Sequence, residues 1–396
     1  MKKILVSVNC LKDIGGIGTA AINLLNEIHK HYDVTLCVPS NFISEKYSIP
    51  SEVKVIHGSS YLRDVIIDRN DLSDQNIFQR LRRNIRRVFY HYIFGAKAVE
   101  KALKNICVDG EYDVAIAFAD YAYSSKDRKC FDYFVVLNNV RAKKKVAWMH
   151  NDPQKLGWTR DLVKSRMSDF DVIVNVSSDC KRILDEMVPE FEPKSKVVYN
   201  MYDIQKIRTR AESVQSLYAD NGKIHFVTVA RIQVLQKRID RIIEVCRRLK
   251  LAGYSNFDWT LVGSGADMDT FMHQVECNEL QEFVRFVGLQ TNPYPYMKQA
   301  DAFVLSSDYE GFGMTVKEAQ ILNVPTFVTN FGPANETMKI GKQGEICENS
   351  TDGLFSMIQK IVQHPEKLSA YREFLMKHPV DNSEALTQFD GIVSFS

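Results

Sequence analysis

The sequence predicts an α/β protein built from two doubly wound, parallel-sheet domains that face each other across a cleft. Three observations carry that expectation: a length of 396 residues, short β-branched runs alternating with amphipathic helical stretches, and a restart of that rhythm halfway along the chain. Such a length is too great for one ordinary domain and comfortable for two. Apolar runs without inner alternation suit strands buried on both faces of a parallel sheet, with helices supplying the crossovers.

The first set of strands is read at 4–8, 34–38, 53–56, 114–118, 145–149, 172–176 and 197–199, and the second at 224–229, 259–262, 284–287, 302–305 and 326–328. Helices 239–249 and 315–322 interleave the second set. The break falls in the polar stretch 202–221, just before Gly222. The domains are therefore expected over 1–202 and 203–375, with 376–396 a tail able to pack back on the first domain.

Composition excludes several function classes. Lysine plus arginine number 51 against 49 acids, a net charge of +2, so the chain has no global affinity for nucleic acid. Its 45% hydrophobic and 25% charged residues are those of a soluble globular protein. Eight cysteines lie far apart with no C-x-x-C pair, which reads as reduced cytosolic thiols rather than a disulfide or zinc framework. The apolar run before Asn9 is too short for a signal peptide, and no 18 uncharged apolar residues run together. A cytoplasmic location is expected.

Glycine turns follow both first strands. Gly15-Gly16-Ile17-Gly18 precedes Ile17, Ala20, Ala21, Leu24, Leu25 and Ile28 at helical spacing, so a helix starts at the glycines. Free N–H groups at such a start favour an anion or a sugar hydroxyl. The same glycines formally satisfy a dinucleotide fingerprint. Strand two, however, ends Val38-Pro39-Ser40 without the acidic residue an NAD ribose needs. In the second domain Val262-Gly263-Ser264-Gly265 leads to Asp267-Met268-Asp269, where helix capping explains the aspartates better than a metal does.

Two loops carry the chemistry. After strand 302–305 come Ser306-Ser307-Asp308-Tyr309-Glu310-Gly311-Phe312-Gly313, then a helix bearing Glu318. Carboxylates beside bare backbone amides suit a polyhydroxylated ligand, although a solvated loop glutamate accounts for Glu310 taken alone. The first strand of the second domain leads to Ala230-Arg231 and on to Lys237-Arg238. Both loops leave the carboxyl edge of one sheet. Arginine offers a planar fork and lysine a point charge, which together neutralise a diphosphate.

At these residues the chain resembles the retaining glycosyltransferases of family four, within the glycosyl transferases group 1, which have the GT-B fold of two facing Rossmann-like domains. Glu310 and Glu318 fit the family's glutamate, seven residues, glutamate signature. Arg231 and Lys237 correspond to its diphosphate cations, Gly15-Gly16 to its N-terminal loop, His150 to a histidine ending an N-domain strand, and Asn200-Met201-Tyr202-Asp203 to its domain link. Gly263, Gly288 and Gly332-Pro333 also fall in family order. Arg238 stands where a glycine is frequent, as does Asn323. The likeness reaches to about Tyr371.

The resemblance implies a nucleotide-diphosphate sugar as co-substrate, UDP-sugar favoured, with no cofactor and no metal. It implies that Arg231 and Lys237 stabilise the leaving diphosphate and that Glu318 holds the ribose hydroxyls. Glu310 and the backbone of Gly311, Phe312 and Gly313 would hold the donor sugar, with Gly15, Gly16, Gly263, Gly288 and Leu289 in further donor contact. His150 would touch the sugar, though read alone it is a structural strand-end histidine, as is His225. The acceptor is expected to be a glycan or lipid-linked glycan. From Arg80 to Lys104 eight basic residues and one acid interleave with Phe89, Tyr90, Tyr92, Ile93 and Phe94, a segment suited either to an anionic membrane face or to a solvated helix. The membrane reading places the chain peripherally on the inner face of the plasma membrane. Competing functions are a GT-B epimerase or phosphorylase, an NAD-dependent oxidoreductase and a non-catalytic sugar binder.

Overall fold

The computed structural model describes residues 1–11, 16–66, 77–89, 95–119, 130–212 and 215–394. Gly15, Tyr90, Tyr92, Ile93 and Phe94 lie outside the described residues. The chain divides into two units, Met1–Tyr202 with Asn382–Ser396, and Asp203–Asp381.

The first unit holds seven parallel strands: β1 (Lys3–Ser7), β2 (Asp33–Val38), β3 (Lys54–His57), β4 (Glu111–Ala117), β5 (Arg141–Met149), β6 (Val172–Asn175) and β7 (Ser195–Val197). Their spatial order is β3-β2-β1-β4-β5-β6-β7. The second unit holds β8 (Ile224–Val229), β9 (Phe257–Val262), β10 (Val284–Phe286), β11 (Ala302–Leu305), β12 (Thr326–Thr329) and β13 (Gly344–Cys347). These run β10-β9-β8-β11-β12-β13. Both sheets are therefore doubly wound α/β sheets in which the winding reverses at one point, between β1 and β4 and between β8 and β11. Central strands are fully buried, as in Ala302–Leu305 and Thr326–Thr329. That is why their sequences carry no polar alternation.

Three strands differ from expectation, and of these β7 (Ser195–Val197) meets the expected 197–199 at Val197 alone. β5 begins at Arg141, four residues early, because Arg141–Lys144 stay paired with Glu111–Val114 although their side chains are only partly covered. β13 was not anticipated: it is an edge strand whose Glu345, Ile346 and Cys347 are half-buried, so its four residues carry no clear period.

The second unit runs to Asp381, past residue 375, because the helix Lys367–Lys377 keeps Leu368, Tyr371 and Leu375 buried in it. The chain then returns to the first unit as the helix Ser383–Ser394. Phe389 is fully buried there, 5.9 Å from the Tyr32 ring and 6.4 Å from Trp148. Lys2 Nζ donates to the Val393 carbonyl at 2.9 Å, and Tyr32 donates to Asp390 at 2.6 Å. Asn382 exchanges hydrogen bonds with the Tyr202 backbone at 3.0 and 2.9 Å.

Candidate active site

In an open α/β sheet, ligands sit beyond the carboxyl ends of the strands where the winding reverses. In the second unit that point is flanked by the loop after β8, which carries Arg231 and Lys237, and the loop after β11, which carries Glu310. The two loops are laced together. Asp308 N donates to the Gln236 carbonyl at 2.8 Å, and Gln236 Nε2 returns a bond to the Tyr309 carbonyl at 3.2 Å. Ser306 Oγ donates to the carbonyl of Lys237 at 2.8 Å.

On this frame Lys237 Nζ meets Glu310 Oε1 at 2.5 Å, and Ser307 Oγ donates to the same oxygen at 2.6 Å. The pair is largely buried, so solvent screens it little. Ser307 and Glu310 stand three apart, the spacing at which a hydroxyl and a carboxylate serve one turn. Arg231 is exposed and, among the described residues, has no ion-pair partner. One cation is thus held against a carboxylate while its neighbour faces solvent.

Arg238 occupies the glycine-like position and takes the left-handed backbone, φ 49°. Its guanidinium bonds Asp240 at 2.8 Å and Asp308 at 3.1 Å, and both carboxylates hold it above the ordinary arginine range. Asn323 likewise has φ 60°, as its short polar side chain allows. Behind the loops Arg241 is buried on the helix Ile239–Leu251. It reaches Asp308 Oδ1 and Asn349 Oδ1 at 2.6 Å each, and the Ser306 carbonyl at 3.1 Å.

Glu318 lies on the helix Met314–Ile321, mostly buried, and accepts from Tyr294 Oη at 3.4 Å. Burial and then the Glu318 charge raise the Tyr294 pKa, so the phenol remains a donor. The Phe312 ring is buried, which leaves ligand contact at this residue to its backbone. Gly313 has φ 79°, and a Cβ there would meet the Phe331 ring at 3.0 Å. Gly263 is explained by packing: a Cβ would stand 1.9 Å from the Ala230 carbonyl oxygen, in the close approach of the loops after β8 and β9. Gly288 has open space around it, and Leu289 is exposed. Among the described residues no three His, Cys, Asp or Glu side chains are placed to hold a metal.

In the first unit the helix Gly16–Ile28 opens at an exposed glycine. Buried Asp132 fixes the end of β1, accepting from Ser7 Oγ at 2.7 Å and Asn9 N at 2.9 Å. His150 is buried, with Nε2 2.7 Å from the Phe118 carbonyl and its ring 4.5 Å from the Phe118 ring. Burial lowers its pKa from 6.5 to about 4, so near neutral pH it is a neutral hydrogen-bonding group and not an acid. His225 is held inside the second unit by Asp258 at 2.9 Å and the Ala219 carbonyl at 3.0 Å.

A pH dependence of stability follows from His150. Above the ordinary 6.5 the ring is neutral whether folded or not; below it the unfolded chain takes up a proton that the folded ring refuses until about 4. The first unit should lose about 3 kcal/mol over that window from this residue. Urea unfolding of wild type and His150→Gln across the window tests this, and equal pH slopes would refute it.

Asp132, Arg241, Asp308, Tyr294 and Asn349 were not anticipated as site residues. The spacing of Ser307 and Glu310 offered a signal for part of the cluster. Arg241 offered none, because an arginine in the first turn of a helix reads as surface charge.

Two doubly wound α/β units, one of them presenting a cation and carboxylate cluster where its sheet winding reverses, define the structural class. Comparison with known proteins narrows it. Residues 209–375, which lie within this second unit, match the family described as Glycosyl transferases group 1. An uncharacterised glycosyltransferase of Methanocaldococcus jannaschii is 25% identical over 205 residues, half of each chain. The N-acetyl-alpha-D-glucosaminyl L-malate synthase of Bacillus anthracis is 21% identical over 97% of this chain and 96% of its own. Among solved structures, Anabaena HepE with UDP and glucose superposes with a TM-score of 0.70 at 15% identity, covering 100% of both chains. An S. aureus TarM variant with fondaparinux, alpha-GlcNAc-glycerol and UDP gives 0.67 at 14%, also over 100% of both. The fold is GT-B.

Proposed function

We propose that the chain is a retaining glycosyltransferase that moves a sugar from a nucleotide-diphosphate sugar, UDP-sugar favoured, to a glycan or lipid-linked acceptor without a metal. The observation that supports this most is the lacing of the loops after β8 and β11, which sets Lys237 against Glu310 with Arg231 nearby in sequence and exposed. Lys237 and Arg231 take the diphosphate, and the charge growing on it as the glycosidic bond breaks makes their contribution largest in the transition state. Glu310 and the backbone of Gly311, Phe312 and Gly313 hold the donor sugar. Glu318, aligned by Tyr294, holds the ribose. Gly15, Gly16, Gly288, Leu289 and a neutral His150 supply further donor contacts. Gly263 serves this site by letting its loop pack closely.

UDP named with HepE and with TarM supports a uridine nucleotide here. A thermal-shift panel of UDP, GDP, ADP and NAD, followed by turnover of the matching nucleotide sugars, tests the reading. Stabilisation by a nucleoside diphosphate with sugar transfer is expected. Stabilisation by NAD alone, or product formed only with inorganic phosphate, would replace the reading with the oxidoreductase or the phosphorylase. Glu318→Gln should weaken kcat/KM about tenfold, the worth of one charge-assisted hydrogen bond; an unchanged value would take the ribose from Glu318.

We propose further that the enzyme works in the cytoplasm at the inner face of the plasma membrane, meeting anionic lipid through the Arg80 to Lys104 segment. Among the described residues no helix is long and apolar enough to cross a bilayer.

A further inference from the structure

The helix Ile77–Phe89 is amphipathic in the unusual sense, with its polar side turned to the protein and its apolar side to solvent. Arg86 Nη1 lies 2.7 Å and Arg82 Nε 3.3 Å from Asp64 Oδ2. Asp64 is fully buried on the neighbouring helix Ser60–Ile66, and Arg83 is buried as well. Opposite these, Phe78 is 77% exposed, Leu81 58%, Ile85 47%, Val88 54% and Phe89 43%. At 3.6 residues per turn these five fall within an arc of about 100°.

From this geometry we infer that the outward stripe of Phe78, Leu81, Ile85, Val88 and Phe89 is the surface that enters an anionic lipid bilayer. The expectation that the basic residues as a group lie on the membrane is narrowed by Arg82 and Arg86, which pair with Asp64 on the neighbouring helix, and by Arg83, which is buried. An apolar stripe of this size on a soluble surface marks an interaction site. Charge names the occupant. The Arg82 side chain, 45% exposed, stands beside one border of the stripe, Arg80 is exposed further round the same helix, and the stretch to Lys104 carries a single acid. Apolar side chains inserted at the acyl boundary, with guanidinium groups at headgroup level, are the pattern of an interfacial helix. Docking would hold the first unit where a lipid-linked acceptor presents its sugar. It presupposes the peripheral membrane contact proposed above and owes nothing to the transfer chemistry.

The test uses the full chain and vesicles of phosphatidylcholine with and without phosphatidylglycerol. Wild type should float with the mixed vesicles at low salt and less at high salt, while Leu81→Glu/Ile85→Glu should float at least about tenfold less. In a Phe78→Trp variant, the indole emission should shift to the blue on the mixed vesicles and be quenched by brominated acyl chains. No flotation of wild type, equal flotation of the double variant, or an indole that stays in water would overturn the inference. So would a lipid-free dimer that the double variant dissolves, since a second copy would then be the occupant. Nucleoside diphosphate release from a nucleotide sugar in lipid-free solution should be the same in both proteins. If release is absent in both while flotation behaves as expected, the transfer reading fails and the lipid surface stands.

Discussion

Replacing Lys237 with alanine is expected to lower turnover about a hundredfold, or ~3 kcal/mol, while changing donor affinity by about threefold or less. A preorganised cation matters most where charge develops, and the leaving diphosphate gains its charge only as the sugar departs. The structure adds a complication that the sequence did not carry. Lys237 is the ion-pair partner of Glu310, so its loss also strands a mostly buried carboxylate with Ser307. The double variant Lys237→Ala/Glu310→Gln separates the two effects. If the cation acts on the diphosphate, the double variant stays slow. Recovery of turnover in it would show that the single variant failed only through the orphaned carboxylate. Steady-state turnover, with titration of the nucleoside diphosphate for affinity, checks both outcomes.

Arg241→Ala should cost the second unit roughly 3 to 5 kcal/mol, the range for removing one partner of a buried, hydrogen-bonded charge pair. Arg241 is 5% exposed and joins its own helix to two segments, the loop after β11 at Asp308 and the Ser306 carbonyl, and Asn349. Its removal leaves Asp308 with Arg238 and opens the frame that holds Glu310. Arg241→Lys retains charge but not the fork, so its loss should be intermediate. Urea unfolding of the full chain, followed on the transition of the second unit, measures this. A shift within about 0.5 kcal/mol of wild type, the ordinary range for a surface substitution, would remove Arg241 from the frame.

How much of this was legible beforehand varied with the kind of information. The buried parallel strands were readable because burial on both faces removes polar residues from them, as in Ala302–Leu305. β13 was not, since an edge strand of four residues has too little apolar content to show a period. Glu310 and Lys237 were legible as residues on neighbouring strand ends, but not as each other's partner. Pairing across 73 positions is set by sheet order, which no local pattern encodes. The tolerance of Asn323 for a left-handed backbone was readable, whereas Arg238 adopting one was not: that conformation goes with ion pairs to Asp240 and Asp308. Basic density around Arg80 was visible, yet its direction was not, because the buried acceptor Asp64 lies on another helix.

The return of Ser383–Ser394 to the first unit has a consequence for biosynthesis. Asp203–Asp381 is contiguous and can fold as soon as it leaves the ribosome, whereas the earlier-made unit lacks Phe389, Ile392 and Val393 until the last helix emerges. The unit made first is therefore completed by a segment made after the second. The nascent first half waits with the apolar faces of Tyr32 and Trp148 uncovered, a window in which a chaperone has something to hold.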